Sequence, residues 1–121
     1  MRRIVRDHYS GFEGYGEIIF VRRYGDSELA FTLWVGYFDT IMMAVPPGPT
    51  GWTSLALAWH VEEPWDLVPA WPVTDPQEVA CQLDGVARKG LDQQARVVLD
   101  ELIAFIREGA QAGDQLLIEA R

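Results

Sequence analysis

The chain is poor in the residues on which small catalytic and metal sites usually depend. It has one cysteine, Cys81, and two histidines, His8 and His60, among its 121 residues. A single cysteine excludes an intrachain disulfide, and a structural zinc site needs about four nitrogen or sulfur ligands. We therefore expect no metal and no other cofactor. The sparse use of cysteine also predicts a reducing, cytoplasmic compartment.

Basic side chains are missing from the middle of the chain. No lysine or arginine lies between Gly25 and Ala87. The same segment carries nine of the 18 acidic residues, namely Asp26, Glu28, Asp39, Glu62, Glu63, Asp66, Asp75, Glu78 and Asp84. The formal net charge of −8 comes almost entirely from this segment. A field of one sign repels nucleic acid and anionic membranes and attracts cationic partners. The charge distribution thus predicts a basic protein partner, with no nucleic acid and no membrane.

Long apolar runs are absent as well. No window approaches the 18 or so uninterrupted apolar residues of a membrane span, and the arginines near the start are not followed by an apolar signal core. An apolar fraction of 49% with 23% charged residues is typical of a soluble globular domain. A chain of this length has room for about one core. We expect a single soluble domain covering residues 1–121.

The first half of the chain predicts β-strands. Residues 16–24 and 28–38 are rich in β-branched and aromatic side chains and flank a turn that contains Gly25, so they predict an antiparallel hairpin. Shorter apolar stretches predict a third strand at residues 40–45 and a fourth at 52–60. On the fourth, the small residues Ser54, Ala56 and Ala58 share one face and leave room for a helix.

The second half predicts helices after a proline-rich loop. Residues 61–74 hold three prolines and should form a long acidic loop without regular structure. Asp75 as N-cap, Pro76 at the first helical position and Glu78 as the partner in a capping box predict a short helix. A longer amphipathic helix starts at about Leu91, and the helical region extends over about 75–112.

This order of elements predicts the α+β class. We expect an antiparallel sheet of about four meander strands, at about 16–60, packed on the two C-terminal helices. The sequence does not distinguish between structures for residues 1–15, and residues 116–118 could be a strand or a helical end.

No residue pattern indicates catalysis. His60 and Glu62 would share a strand face without a second histidine, and nothing fixes a separation between Asp39 and Asp66 that sugar chemistry would require. Cys81 has no nearby base to activate it. The glycines at 11, 14 and 16 do not match the dinucleotide fingerprint. We therefore predict a protein that is not an enzyme.

Tryptophans accompany the acids of the loop. Glu62, Glu63 and Asp66 lie close in sequence to Trp65 and Trp71. Tryptophan anchors and steering carboxylates together predict a protein-binding surface. The alternative is that the tryptophans close the open end of the core while the acids keep the loop soluble. The N-terminal arginines could form a basic patch, but we expect them to offset part of the acidic field.

In its overall character the chain resembles the small acidic immunity proteins that bacteria pair with secreted or contact-delivered toxins. The resemblance lies in the size, the acidic middle segment, the tryptophan-bearing loop and the lack of a catalytic constellation. It implies a protein that plugs the basic active site or groove of a toxin with its carboxylates. The binding residues would be Glu62, Glu63, Trp65, Asp66 and Trp71, with Asp39 and Asp75 as outer steering charges.

Two other functions remain open. A small-molecule-binding protein or enzyme would use a pocket between the sheet and the helices, near Ser54, Ala56 and Ala58. A structural or adaptor homodimer would use an exposed sheet edge or the apolar segment at residues 116–118.

Overall fold

Five strands form one mixed sheet in the computed structural model, which describes residues 1–121. Their order across the sheet is β1-β3-β2-β5-β4. The strands are β1 (Arg2–His8), β2 (Glu17–Tyr24), β3 (Ser27–Trp34), β4 (Trp71–Val73) and β5 (Gln115–Ala120). Strand β1 runs parallel to β3, and the other neighbours are antiparallel. The α+β class is confirmed, whereas the prediction of a purely antiparallel sheet of four strands is wrong.

The predicted hairpin is present as β2 and β3. Its turn contains Gly25 at φ 57°, a left-handed conformation that glycine adopts without steric cost. Phe20 and Phe31 are direct cross-strand partners, and both are fully buried. The strand ends at Trp34, four residues earlier than predicted.

The third and fourth predicted strands are helices. Helix α1 (Val35–Met43) covers the start of the third, and helix α2 (Ser54–Val61) covers most of the fourth. In α1 the buried residues Phe38, Ile41 and Met42 follow the spacing of one helical face. The centre of α2 is Leu-Ala-Leu-Ala, which has high helix propensity and no β-branched residue. Short apolar runs do not distinguish a strand from a buried helix by periodicity alone, which explains the error.

The two predicted C-terminal helices are confirmed as α3 (Pro76–Asp84) and α4 (Gln93–Ala112). The side chain of Asp92 caps α4 by accepting a hydrogen bond from the Ala95 backbone N–H at 2.8 Å. Phe105 of α4 packs on Phe31 of the sheet, with ring centroids 5.5 Å apart. One face of α4 thus closes the main core over the sheet. No helix of the protein combines the length and apolar character that crossing a membrane requires.

The segment at 61–74 contains more regular structure than predicted. A one-turn 3₁₀ helix spans Pro64–Asp66, and β4 adds a short edge strand. Pro72 is tolerated in β4 because an edge strand needs hydrogen bonds on one side only.

The ends of the chain, which the sequence left open, both become strands. Residues 1–15 contain β1, and residues 116–118 lie in β5 between β2 and β4. Leu116, Leu117 and Ile118 are at most 4% exposed, so they offer no apolar tail for a homodimer. The sheet edges are β1 and β4. Edge strand β1 carries the exposed Arg3 and Arg6, and such charges discourage edge-to-edge pairing.

Candidate functional site

Helix α2 is held by unusual backbone at both ends. Ser54 at φ 54° and Glu63 at φ 47° are the two residues other than glycine with positive φ, and they lie at the start of α2 and just after its end. The Ser54 hydroxyl donates to Asp75 Oδ1 at 2.8 Å, and the Thr53 hydroxyl donates to Glu78 Oε1 at 3.1 Å. Asp75 is the N-cap of α3, as predicted, but its carboxylate accepts no backbone hydrogen bond there, so the predicted capping box is absent. Asp75 and Glu78 instead accept hydrogen bonds from the two residues at the start of α2.

A groove with a volume of about 570 Å³ runs beside α2, towards β4 and the start of α3. We call it the α2 groove. Its lining includes the apolar side chains of Leu57, Ala58, Val61 and Trp71 and the carboxylates of Glu62 and Asp75. Leu57 is 46% exposed and Val61 is 72% exposed. Large apolar side chains therefore line a concave and open surface.

Three carboxylates gather near the C-terminal end of α2. Burial raises the pKa of Glu63 above its ordinary value, and the nearby charges of Asp39 and Asp66 raise it further. Asp39 is held by the Trp59 indole, which donates from Nε1 to Oδ1 at 3.0 Å. We call Asp39, Glu63 and Asp66 the acidic cluster. Glu62 precedes the cluster in sequence and is exposed. None of these four acids has a basic partner within salt-bridge distance.

Seven of the nine arginines pair with acids outside the acidic cluster. Arg23 and Arg2 bind Glu28 at 2.8 and 2.9 Å, and the Arg23 hydrogen bond is the main reason that the pKa of Glu28 is lowered. Asp84 is paired with arginines of the second half of the chain. Of the nine acids in the middle segment, two have ion-pair partners, and Asp26 lies apart in the β2–β3 turn. The six unpaired acids left are Asp39, Glu62, Glu63, Asp66, Asp75 and Glu78. Glu62 and Asp75 line the α2 groove, whereas Asp39 and Glu78 accept hydrogen bonds from Trp59 and Thr53.

The two loop tryptophans have different environments. Trp65 is 2% exposed and packs edge-on against Phe38 and Trp71, with centroids 5.5 and 5.6 Å apart. Trp65 is a core residue, so its prediction as a surface anchor is wrong. For this tryptophan the structure agrees with the alternative interpretation, in which the loop tryptophans close the open end of the core. Trp71 is half-buried and lines the groove.

The structure assembles no metal site at the residues considered from the sequence. His60 stacks on Trp52 at 3.8 Å between ring centroids. No group of three or more histidine, cysteine or carboxylate side chains is placed to hold a metal ion. Ser54 and Ala58, two of the small residues expected near a pocket, line the groove, whereas Ala56 is fully buried. The large apolar residues that the sequence did not bring to the site are Leu57 and Val61. Their helical spacing was the available signal, but a strand assignment concealed it.

A second, smaller cavity of about 250 Å³ lies between the sheet and α4. Three arginines reach it, but two are already paired, Arg6 with Glu101 at 3.1 Å and Arg22 with Glu108 at 3.4 Å. His8 also contacts Glu101, at 2.9 Å from Nε2 to Oε1. Most of the charged side chains at this cavity are therefore already paired with each other and are not free to bind a ligand. The α2 groove with the acidic cluster is the more accessible site.

Comparison of the chain with protein-family models, with the curated proteins and with the solved structures gave no match.

Proposed function

We propose that this protein binds a basic protein through the acidic cluster, Glu62 and the α2 groove. The observation that carries the proposal is the separation of charge within the fold. Four of the five arginines of the N-terminal strands pair with Glu28 or with acids of α4 and β5, whereas Asp39, Glu62, Glu63 and Asp66 have no basic partner. Their negative field is therefore available to a cation outside the chain.

Apolar surface beside the charges supports a protein partner. Leu57 and Val61 are exposed next to the half-buried Trp71. Carboxylates raise the rate of encounter with a basic partner and select against acidic ones, while desolvated apolar contacts supply most of the affinity. Val61 and Glu62, which follow each other in the chain, bring both elements into the lining of the groove. The proposed activity is binding alone, with no chemical step.

The class of partner that we propose is a toxin with a basic active site or groove. Carboxylates held at such a site would take the places of substrate phosphates and block access to it. The small size and the clustered unpaired acids support this role, in keeping with the resemblance to immunity proteins.

A charge-reversal experiment tests the proposal. The tagged protein is used to capture its partners from its native cells, and the captured basic proteins are identified by mass spectrometry. We expect a basic protein to be retained by the wild type and lost on the combined substitution Glu62→Lys, Glu63→Lys and Asp66→Lys. Retention should weaken as salt rises, because the steering charges are exposed. Growth of cells that express the captured protein, with and without this chain, then tests neutralisation.

A matched control separates a local effect from a change in net charge. The combined substitution Glu13→Lys, Asp26→Lys and Glu108→Lys changes the net charge by the same amount on other exposed surfaces. Of these three acids only Glu108 has an ion-pair partner, at 3.4 Å from Arg22. This variant should still capture the partner. Equal capture by both triple variants and the wild type would exclude the acidic cluster as the binding surface.

A further inference from the structure

The carboxylates near the α2 groove lie at both ends of α2. Asp75 contacts Ser54, the first residue of the helix, and Glu62 directly follows Val61, the last. Eight residues at a rise of about 1.5 Å per residue place the two ends about 12 Å apart. Leu57 and Val61 lie between them on the same face of α2, four residues apart. The groove thus has an apolar floor with a negative charge at each end.

An added β-strand does not suit this groove. The nearest sheet edge is β4, which is three residues long and has proline in the middle. Proline has no N–H to donate, so the free edge of β4 cannot continue a regular ladder. A partner would contact the groove through side chains.

A second copy of the chain does not suit it either. The net charge is −8, and a symmetric pairing through the groove would bring the Glu62 and Asp75 carboxylates of two copies towards each other. The occupant must supply positive charge at the ends and apolar side chains in the centre.

We propose that the α2 groove binds the apolar face of a cationic amphipathic helix of the partner protein. The helix lies along α2 and places two basic side chains about seven residues apart, because two helical turns cover about 11 Å, close to the length of α2 between Ser54, which Asp75 contacts, and Glu62. Apolar side chains at the intervening positions, three and four residues after the first basic residue, contact Leu57 and Val61. This inference rests on the proposed function and specifies the part of the partner that the site recognises.

Synthetic peptides test the inference directly. The first peptide is a fluorescent helix of about four turns with two lysines about seven residues apart and two leucines between them. The second has the same lysines and serine in place of each leucine. The third has the composition of the first with the lysines on opposite helix faces. Fluorescence anisotropy measures the binding of each peptide at low and at physiological salt.

Two protein variants locate the contact. Leu57→Ser with Val61→Ser removes the apolar floor without changing the charge. Met43→Ser with Val97→Ser is the matched control, because these residues are 72% and 40% exposed and lie outside the groove. Circular dichroism verifies that both variants are folded.

We expect the first peptide to bind the wild type and the control variant equally, and the groove variant at least about tenfold more weakly. The serine peptide and the rearranged peptide should bind the wild type weakly. Equal, salt-sensitive binding of all three peptides would overturn the groove proposal and leave the proposed function standing, since the acids alone would then attract basic chains.

Two further results would also overturn the groove proposal. One is a lack of binding by all three peptides, after which the capture experiment alone decides the proposed function. The other is a wild-type dimer, detected by sedimentation, that the groove variant abolishes, because a second copy would then occupy the groove.

Discussion

Arg2 and Glu119 form a bidentate ion pair across the outer face of the sheet. The distances are 3.0 Å from Nη1 to Oε1 and 2.6 Å from Nη2 to Oε2. Arg2 lies on β1 and Glu119 on β5, so the pair joins strands that are separated by β3 and β2. The same sheet face carries the buried Val21 and Ala30, which lie on those two intervening strands. The ion pair therefore connects the two ends of the chain on the face opposite the helices.

Loss of this ion pair should destabilise the protein. The side chains of Arg2 and Glu119 are 27% and 12% exposed, so Glu119 would be left largely desolvated without its main partner. We expect Arg2→Ala to lower the free energy of unfolding by about 2 kcal/mol, as for the loss of a hydrogen-bonded charge. Arg121 lies 3.6 Å from Glu119 and is exposed, so it compensates only in part. Urea denaturation at neutral pH measures the change.

Arg3→Ala is the matched control for this prediction. Arg3 is exposed and makes no ion pair, yet its loss changes the net charge equally. It should change stability by no more than about 0.5 kcal/mol. A double-mutant cycle with Glu119→Ala isolates the pairwise term, and a coupling free energy near zero would contradict the role assigned to the pair.

The Glu63 carboxyl should lower the stability of the protein at neutral pH and stop doing so at acidic pH. Its pKa in the folded protein is raised above the ordinary value of 4.5, so the folded state binds this proton more tightly than the unfolded chain does. The ionised carboxylate therefore costs stability above the folded pKa, and this cost disappears as the pH falls below 4.5. We expect Glu63→Gln to be more stable than the wild type at pH 7. The difference should shrink towards zero as the pH is lowered through this range.

The neighbouring substitution Glu62→Gln serves as the control, because Glu62 is exposed and its removal changes the net charge by the same amount. Thermal unfolding at a series of pH values compares the two variants. If Glu62→Gln and Glu63→Gln gave the same pH profile, neither the burial of Glu63 nor the charges of Asp39 and Asp66 would raise the pKa of Glu63 in the folded protein.

Trp65 should be essential for stability. It is almost fully buried against Phe38 and Trp71. Removal of a buried aromatic side chain costs about 3–5 kcal/mol, so Trp65→Ala should lose a large part of the total stability of a domain of this size. Trp52→Ala is the comparison, because Trp52 is 38% exposed and stacks on the exposed His60. Chemical denaturation should show a clearly smaller loss for Trp52→Ala, and equal losses would contradict the assignment of Trp65 to the core.

The sequence predicted the elements with strong local signals. The hairpin of β2 and β3 has β-branched strands around a glycine turn, and α4 has a long apolar period of 3.6 residues. Helices α1 and α2 were missed because they are short, at nine and eight residues, and their apolar stretches are shorter still. The parallel pairing of β1 with β3 depends on contacts far apart in sequence, such as Arg2 with Glu28, and no local pattern encodes it.

The candidate site was predictable only in part, because it too depends on contacts between residues that are far apart in sequence. The excess of carboxylates over basic residues in the middle of the chain is a property of composition and could be read directly. Which carboxylates keep their charge unpaired depends on tertiary contacts, as the different environments of Glu28 and Glu63 show. The burial of Trp65 and the exposure of Leu57 likewise follow from how α2 and the 3₁₀ turn pack.

Gly36 should be required by the position of the Trp34 ring. A Cβ at residue 36 would lie 2.4 Å from the ring atoms of Trp34, which stacks on Phe12 with centroids 4.3 Å apart and meets Tyr37 edge-on. Alanine has the higher helix propensity by about 1 kcal/mol, whereas overpacking costs about 1–3 kcal/mol. Because Trp34 is held between two other rings, we expect the clash to prevail and Gly36→Ala to be destabilised.

Gly90→Ala supplies the comparison for this last prediction, since a Cβ at that position has no neighbour within 4 Å and the backbone does not require glycine. It should be neutral or slightly stabilising. Near-ultraviolet circular dichroism reports on the packing of the aromatic rings, and denaturation gives the stability of both variants. Gly36→Ala should lose aromatic signal as well as stability. A loss of stability with an unchanged aromatic spectrum would show that the cost arises in helix α1 and not in the stack of Phe12 on Trp34.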